Sequence, residues 1–238
     1  MEVGVKFYSH NKVSEEDFDF ADFVEILAVP GNPIGVFGSF RAKFRVHCPH
    51  DAFNFNPSNA KREERNTAML RETIMAADQL DADRIVVHAG YNSPKLKIRD
   101  YKKNAIAFLK ANFDSRICIE NLLPKDGDLT WVAYSPEEIA EFRDLGFRFC
   151  LDFGHAVGTA SHFGLDYKDY ISRFVNLKPD YFHLSGTING VDRHQSILVA
   201  DTDLEFMKQI IRRAGKPVCL ETPVITGQRR KEVEFLKK

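Results

Sequence analysis

No stretch of this chain is long and apolar enough to cross a bilayer, and its opening residues, MEVGVKFYSHNK, lack the charged, apolar and small-residue succession of a secretory signal. The expected location is the cytoplasm, with no membrane among its partners. Cysteine is sparse. Cys48, Cys118, Cys150 and Cys219 show no C-x-x-C spacing, which argues against a zinc ribbon or a disulfide framework and leaves reduced, buried thiols as the reading. Repeats, low-complexity tracts and linker-like segments are also missing, so residues 1–238 are read as a single domain; 44% hydrophobic content is enough for a large core. A formal charge of −1 gives no global excess of positive charge of the kind that marks many nucleic-acid binders.

What the chain does have is a succession of short apolar runs. Eight strand candidates cover about Val3–Tyr8, Phe23–Val29, Phe44–Cys48, Arg84–His88, Arg116–Asn121, Phe147–Phe153, Asp180–Leu184 and Lys216–Glu221. They are rich in Val, Ile, Phe and Cys with little alternation, the pattern of parallel strands covered on both faces. Helix-like segments follow the later ones: Asn59–Leu80 with Ser58 as N-cap candidate, Asp100–Asn112, Pro136–Leu145 after Ser135, Tyr167–Asn176, Leu204–Ala214 and Arg229–Lys238. This alternation predicts an α/β fold, a (β/α)8 TIM barrel. Between the first and third strands only Ser9–Lys43 remains, with Pro30, Pro33 and three glycines, so an outer helix there is expected to be short or missing.

Nine metal-capable side chains fall at or just beyond these strand ends: His50, His88, Glu120, Asp152, His155, His183, Asp192, His194 and Glu221. A polar group ending a buried strand costs free energy unless something pairs it, and in such barrels the active site lies at the C-terminal strand ends. Mixed histidine and carboxylate donors suit zinc or manganese, and nine are too many for one ion of ordinary coordination number. Two or three ions would fit, and several metals at one site point to hydrolysis of a phosphoryl ester. His10, His47 and His162 lack such company and are left out; Glu25 is open between a substrate contact and a buried pair. Strand alternation predicts that the four thiols, each two residues before His50, Glu120, Asp152 or Glu221, share the inward face below those residues.

The segments CPHDAFNFNP, VVHAGY, CIENL, CLDFGHA, FHLSG, VDRHQS and CLETP, in this order from 48 to 223, resemble the metal-binding motifs of the endonuclease IV family of apurinic/apyrimidinic DNA repair enzymes. The resemblance implies a zinc-dependent barrel that cleaves the backbone of damaged double-stranded DNA on the 5′ side of an abasic site, acting as a monomer. It implies three zinc ions, with manganese as the alternative: one on His50, His88 and Glu120, a second on Glu120, Asp152, His183 and Glu221, a third on His155, Asp192 and His194. Glu120, bridging two ions, would be the catalytic residue, and a metal-activated water would attack phosphorus. Phe53 and Arg193 would be the substrate-binding residues, Phe53 standing where the family commonly has a tyrosine. The chain departs from the family in its short front, before Phe44, and in the Gln195–Val199 stretch.

Three divalent ions would raise the formal charge from −1 to about +5. Two basic runs, Arg41, Lys43 and Arg45 before His50 and Lys95, Lys97, Arg99, Lys102 and Lys103 after His88, are candidates for phosphate contact. The rival enzyme reading is a sugar isomerase or epimerase of the same superfamily, which would need one ion on Glu120, Asp152, His183 and Glu221. A barrel kept only for binding leaves the nine donors without a purpose.

Overall fold

The computed structural model describes residues 1–32 and 34–238; Pro33, counted above in the shortened front, lies outside them. The eight apolar runs form a closed parallel barrel: β1 (Val3–Tyr8), β2 (Phe23–Leu27), β3 (Phe44–His47), β4 (Ile85–Val87), β5 (Ile117–Glu120), β6 (Arg148–Asp152), β7 (Tyr181–Leu184) and β8 (Val218–Leu220). Spatial order follows chain order, and β8 closes on β1 through Val3 opposite Val218 and Val5 opposite Leu220. The expected (β/α)8 class is the one observed.

Seven α-helices surround the barrel among the described residues: α1 (Glu63–Gln79), α2 (Tyr101–Ala111), α3 (Pro136–Asp144), α4 (Phe153–Phe163), α5 (Tyr167–Val175), α6 (Leu204–Ala214) and α7 (Thr226–Lys237). The front is short on both sides of β2, where 3-10 turns at Glu15–Asp17 and Ile34–Ser39 stand in for helices. Ser135 caps α3 as expected, accepting from the Glu138 N–H, with Pro136 in the first turn. Ser58 is not the cap of α1. Asn59 instead accepts from the Lys61 N–H of a 3-10 turn that leads into that helix.

Helix α4 is absent from the expected helices, and His162, left out above, lies in its last turn. Two glycines disguise the helix, since each weakens it by roughly 1 kcal/mol relative to alanine. One of them has a packing reason: a Cβ on Gly154 would stand 2.7 Å from Ser185 Oγ and 2.9 Å from Asp192 Cγ. Only glycine lets the start of α4 approach the segment that carries Asp192.

Alternation along the strands divides the core in two. Val3, Val5 and Phe7 on β1, Ile117 and Ile119 on β5, and Phe182 and Leu184 on β7 face outward against the helices. Phe23, Val86, Cys118, Cys150, Tyr181 and Cys219 fill the barrel interior. Three of the four thiols are therefore below the strand-end polar groups, as expected. Cys48 is not: it packs outward, with Thr73 Oγ1 of α1 3.6 Å from its sulfur. Strand β3 ends at His47, and alternation from inward Arg45 and His47 places Cys48 on the outer face, so counting back from His50, beyond the strand, gives the wrong parity.

The basic run before His50 is also corrected. Lys43 and Arg45 lie at the N-terminal end of β3, away from the strand ends that matter; both pair with Glu2, and Arg45 also with Asp83. The Arg45 guanidinium, 1% exposed, lies 3.8 Å from the Phe23 ring centroid and 4.9 Å from that of Tyr181. It plugs the barrel floor.

Phe23 cannot yield, because Arg45 stacks on it from within. A Cβ on Gly4 would meet its ring at 2.2 Å. Gly4→Ala is expected to lower the unfolding free energy by about 1–3 kcal/mol, the scale of core overpacking, in a denaturant melt; an unchanged midpoint would show that the floor can repack.

Candidate metal centre

Every barrel strand delivers one polar side chain to the same mouth: Lys6, Glu25, His47, Glu120, Asp152 and His183 from within β1, β2, β3, β5, β6 and β7, and His88 and Glu221 from the residue just beyond β4 and β8. His155 enters from the first turn of α4. Asp192 and His194 enter on an antiparallel hairpin of Gly186–Ile188 and Val191–Gln195. His194 holds a left-handed backbone at φ 48°, unusual for a residue with a side chain and of a kind that clusters at functional sites.

Glu120 is the hub. Its Oε2 lies 3.2 Å from His47 Nε2 and 3.1 Å from His88 Nε2, while Oε1 lies 3.3 Å from His183 Nδ1 and 3.4 Å from His155 Nδ1. Glu221 is a second node: Oε1 is 2.7 Å from His183 Nδ1 and 2.6 Å from Lys6 Nζ, and Oε2 is 3.2 Å from His194 Nε2. Two triads, Glu120 with His183 and Glu221, and Glu120 with Asp152 and His155, bring donor atoms within 4.8 Å of one another. Asp192 Oδ2 is 3.8 Å from His155 Nε2, and His194 leans on Glu221.

Two histidines depart from expectation. His50 stands at the rim, where it caps the 3-10 turn Asp51–Phe53 and its Nδ1 faces Asp51 Oδ1 at 2.9 Å. Its ring lies 5.5 Å from that of His88 and makes no contact with Glu120. His47, set aside above, is buried at the heart of the cluster. Phe53 packs its half-buried ring edge-on against His50 at 5.5 Å, and Arg193 is exposed on the hairpin outside the cavity lining.

Supporting groups set the orientation of the donors. Glu25 resolves as a buried partner: its Oε2 accepts from the Tyr181 hydroxyl at 2.8 Å and from His183 Nε2 at 3.0 Å. With Nε2 donating to Glu25, His183 directs Nδ1 toward Glu120 and Glu221, and against its burial these carboxylates help hold the ring's proton well above the usual histidine range. Asn121 bonds the Asp152 backbone on both sides, at 2.7 and 2.9 Å, and its carbonyl lies 2.9 Å from His155 Nδ1. Lys6 carries no local mark in the sequence; the only signal is its inward parity within β1, which it shares with Glu25 in β2.

Charge is unbalanced. Glu25, Glu120, Asp152, Asp192 and Glu221 face one ammonium, Lys6; against its burial, Glu221 and Glu25 hold its proton far beyond the usual lysine range. Burial, together with Asp192, Glu120 and Glu221, pushes the Asp152 carboxyl up to about 7. Against its burial, Asp152, Glu120 and Asp192 keep His155 protonated up to about 10. Burial lowers His88 to about 4. Glu25 Oε1, Asp152 Oδ2 and Asp192 Oδ2 are buried without a hydrogen-bond partner, so the mouth has unmet demand for cations. These donors fit divalent metal. Beside them opens a cavity of ≈ 410 Å³, with Lys6, His47, Glu120 and Glu221 in its polar lining and Tyr8, Leu27, Leu122, Trp131 and Val224 among its apolar walls.

A family model described as a xylose isomerase-like TIM barrel matches residues 8–238. Among curated proteins, "Probable endonuclease 4" of Mycobacterium leprae (strain Br4923) is 24% identical over 257 residues, covering 100% of this chain and 98% of the relative. Among solved structures, a D-tagatose 3-epimerase-like protein superposes with a TM-score of 0.80 at 20% identity, covering 100% of this chain and 96% of the other. Endonuclease IV from Thermus thermophilus superposes with a TM-score of 0.67, also at 20% identity, covering 100% and 98%.

The cluster's protonation has a measurable consequence in the metal-free protein. His155 in an unfolded chain titrates near 6.5 and in the fold near 10, so over that interval the folded state binds more protons and its stability falls as pH rises. Buried Cys48 and Cys118, pushed up to about 12, act in the same direction above the ordinary thiol range. Thermal melts in chelator are expected to fall by several degrees from about pH 7 to about pH 10. A midpoint that holds or rises over that range would contradict a protonated cluster.

Proposed function

Because the chain belongs to the xylose isomerase-like TIM-barrel family, we propose that it is a zinc-dependent endonuclease that cleaves the backbone of damaged duplex DNA 5′ to abasic sites. The observation that carries this reading is the hairpin. A one-metal sugar isomerase needs Glu120, Asp152, His183 and Glu221 only, whereas here Asp192 and His194 are carried to the same mouth and a glycine clears room for the approach. The low-identity relationship to proteins named endonuclease 4 supports the same assignment.

The chain's own residues have separable roles in this reading. His88 and Glu120, with His50, would hold the first ion; Glu120, Asp152, His183 and Glu221 the second; His155, Asp192 and His194 the third. Bound zinc, or manganese, would supply Lewis acidity for the scissile phosphate and leaving oxygen and make water nucleophilic near neutral pH. Glu120, buried with one oxygen toward each pair of imidazoles, keeps two cationic positions close. Arg193, exposed between Asp192 and His194, would meet a backbone phosphate, and Lys95, Lys97 and Arg99, beyond β4, would extend that contact. Phe53 would support the His50 ring and border the DNA.

A second reading, sugar isomerisation or epimerisation, is favoured by the cavity itself, whose ≈ 410 Å³ suits a small polar ligand and whose polar lining includes Lys6. Zinc-loaded protein incubated with a duplex carrying one tetrahydrofuran abasic analogue separates the two. Cleavage 5′ to the lesion, with the undamaged duplex left intact, is expected. Sugar epimerisation without cleavage would transfer the assignment to the second reading.

Two variants test the roles. Glu120→Gln removes the charge that holds two cations together and is expected to abolish cleavage; near-normal activity in a fully metallated variant would refute bridging. His194→Ala is expected to lose one ion and to slow cleavage at least about a hundredfold, the scale of one lost preorganised contact. The fold should survive, since the side chain is half exposed on a hairpin. Unchanged cleavage by a variant that has lost the ion would refute a three-metal mechanism.

A further inference from the structure

The geometry points to His47 Nε2, in place of His50, as the histidine that completes the first metal position with His88 Nε2 and Glu120 Oε2. This rests on the metalloenzyme reading above and changes its ligand set. His47 Nδ1 lies 2.7 Å from the Cys48 carbonyl, which can only accept, so that nitrogen carries the proton and donates. Neutral His47 then presents a lone pair at Nε2, 3.2 Å from Glu120 Oε2, itself an acceptor. Two lone pairs do not face each other at that distance in a buried site without a cation between them, either a second proton or a metal. Donor atoms around a tetrahedral zinc, with bonds of about 2.0–2.1 Å, stand about 3.3 Å apart. The separations of 3.2 Å for His47 and 3.1 Å for His88 from the same oxygen match that edge, and all three donor atoms lie within 4.8 Å of one another.

His50 lacks each of these features. Its Nδ1 is engaged by Asp51 at the rim, its ring is 21% exposed, and neither nitrogen approaches Glu120. The difference originates in the strand. His47 is the last residue of β3 and shares the inward face with Arg45, whereas His50 lies three residues beyond the strand's end.

The test is metal content. Wild type, His47→Ala and His50→Ala are loaded with zinc, freed of excess by dialysis and analysed for bound metal by mass spectrometry. His47→Ala is expected to lose about one equivalent of zinc relative to wild type, and His50→Ala to keep the wild-type stoichiometry. The reverse pattern, or no loss in folded His47→Ala, overturns the assignment while leaving the metalloenzyme reading intact. Wild type that retains no zinc overturns both. Should His47→Ala fail to fold, ¹⁵N-labelled wild type titrated with zinc decides the matter. The Nε2 resonance of His47 should move from the free-imidazole to the metal-bound position while Nδ1 stays protonated; an Nε2 that does not move in zinc-loaded protein refutes the proposal.

Discussion

Five carboxylates and a single ammonium buried at one barrel mouth form the constraint on which the rest of this structure depends. An isolated buried carboxylate is too costly to persist, so every one present must be paired, protonated or held ready for a cation. Glu120 meets the requirement by giving each oxygen two imidazoles. Asp152 meets it by holding its proton up to about 7, and Glu221 by sharing Lys6, His183 and His194. The imidazoles that carry these protons are also of the donor type that ligates divalent metal, so one cluster suits both roles.

Precision in the cluster comes from groups behind it. Glu25 and Tyr181 fix the ring of His183, the Cys48 carbonyl fixes His47, and Asn121 ties the ends of β5 and β6 while orienting His155. Such groups select which imidazole nitrogen is free, and hence where a cation can sit. Lys6 adds a fixed positive charge beside Glu221. It tempers the negative field on that side of the mouth, leaving the side lined by Asp152, His155 and Asp192 with the larger unmet demand.

The hairpin and α4 convert a general barrel into a more specialised one. The barrel strands and their ends supply Glu120, Asp152, His183 and Glu221, and Asp192 and His194 arrive only because the hairpin folds over the mouth. Gly154 removes the Cβ that would hold the hairpin off, Ser185 accepts that proximity by donating to Asp192 Oδ1 at 2.8 Å, and His194 takes a left-handed backbone to turn its ring back toward Glu221. A close approach at Gly154 and a left-handed backbone at His194 thus mark the place where the extra donors enter.

Much of this was legible in the chain. Eight apolar runs, most of them ending in a polar residue, determined the barrel and the end at which the site lies, because buried parallel strands demand continuous apolar sequence and tolerate such groups only at their ends. The alternation of Cys118 with Glu120, Cys150 with Asp152 and Cys219 with Glu221 likewise fixed those thiols in the interior. Helix α4 was hidden because Gly154 and Gly158 lower its helix propensity, and Gly154 is there for close packing against Asp192. The tertiary structure alone decided the rest. Whether His47 or His50 faces Glu120 depends on where β3 ends, a matter of hydrogen bonds to β2 and β4 that no local pattern records. Lys6 and Glu25 acquire meaning only when barrel closure brings β1 beside β8 and the inward faces of β2 and β7 together, since distance across a barrel is set by its closure and not by separation along the chain.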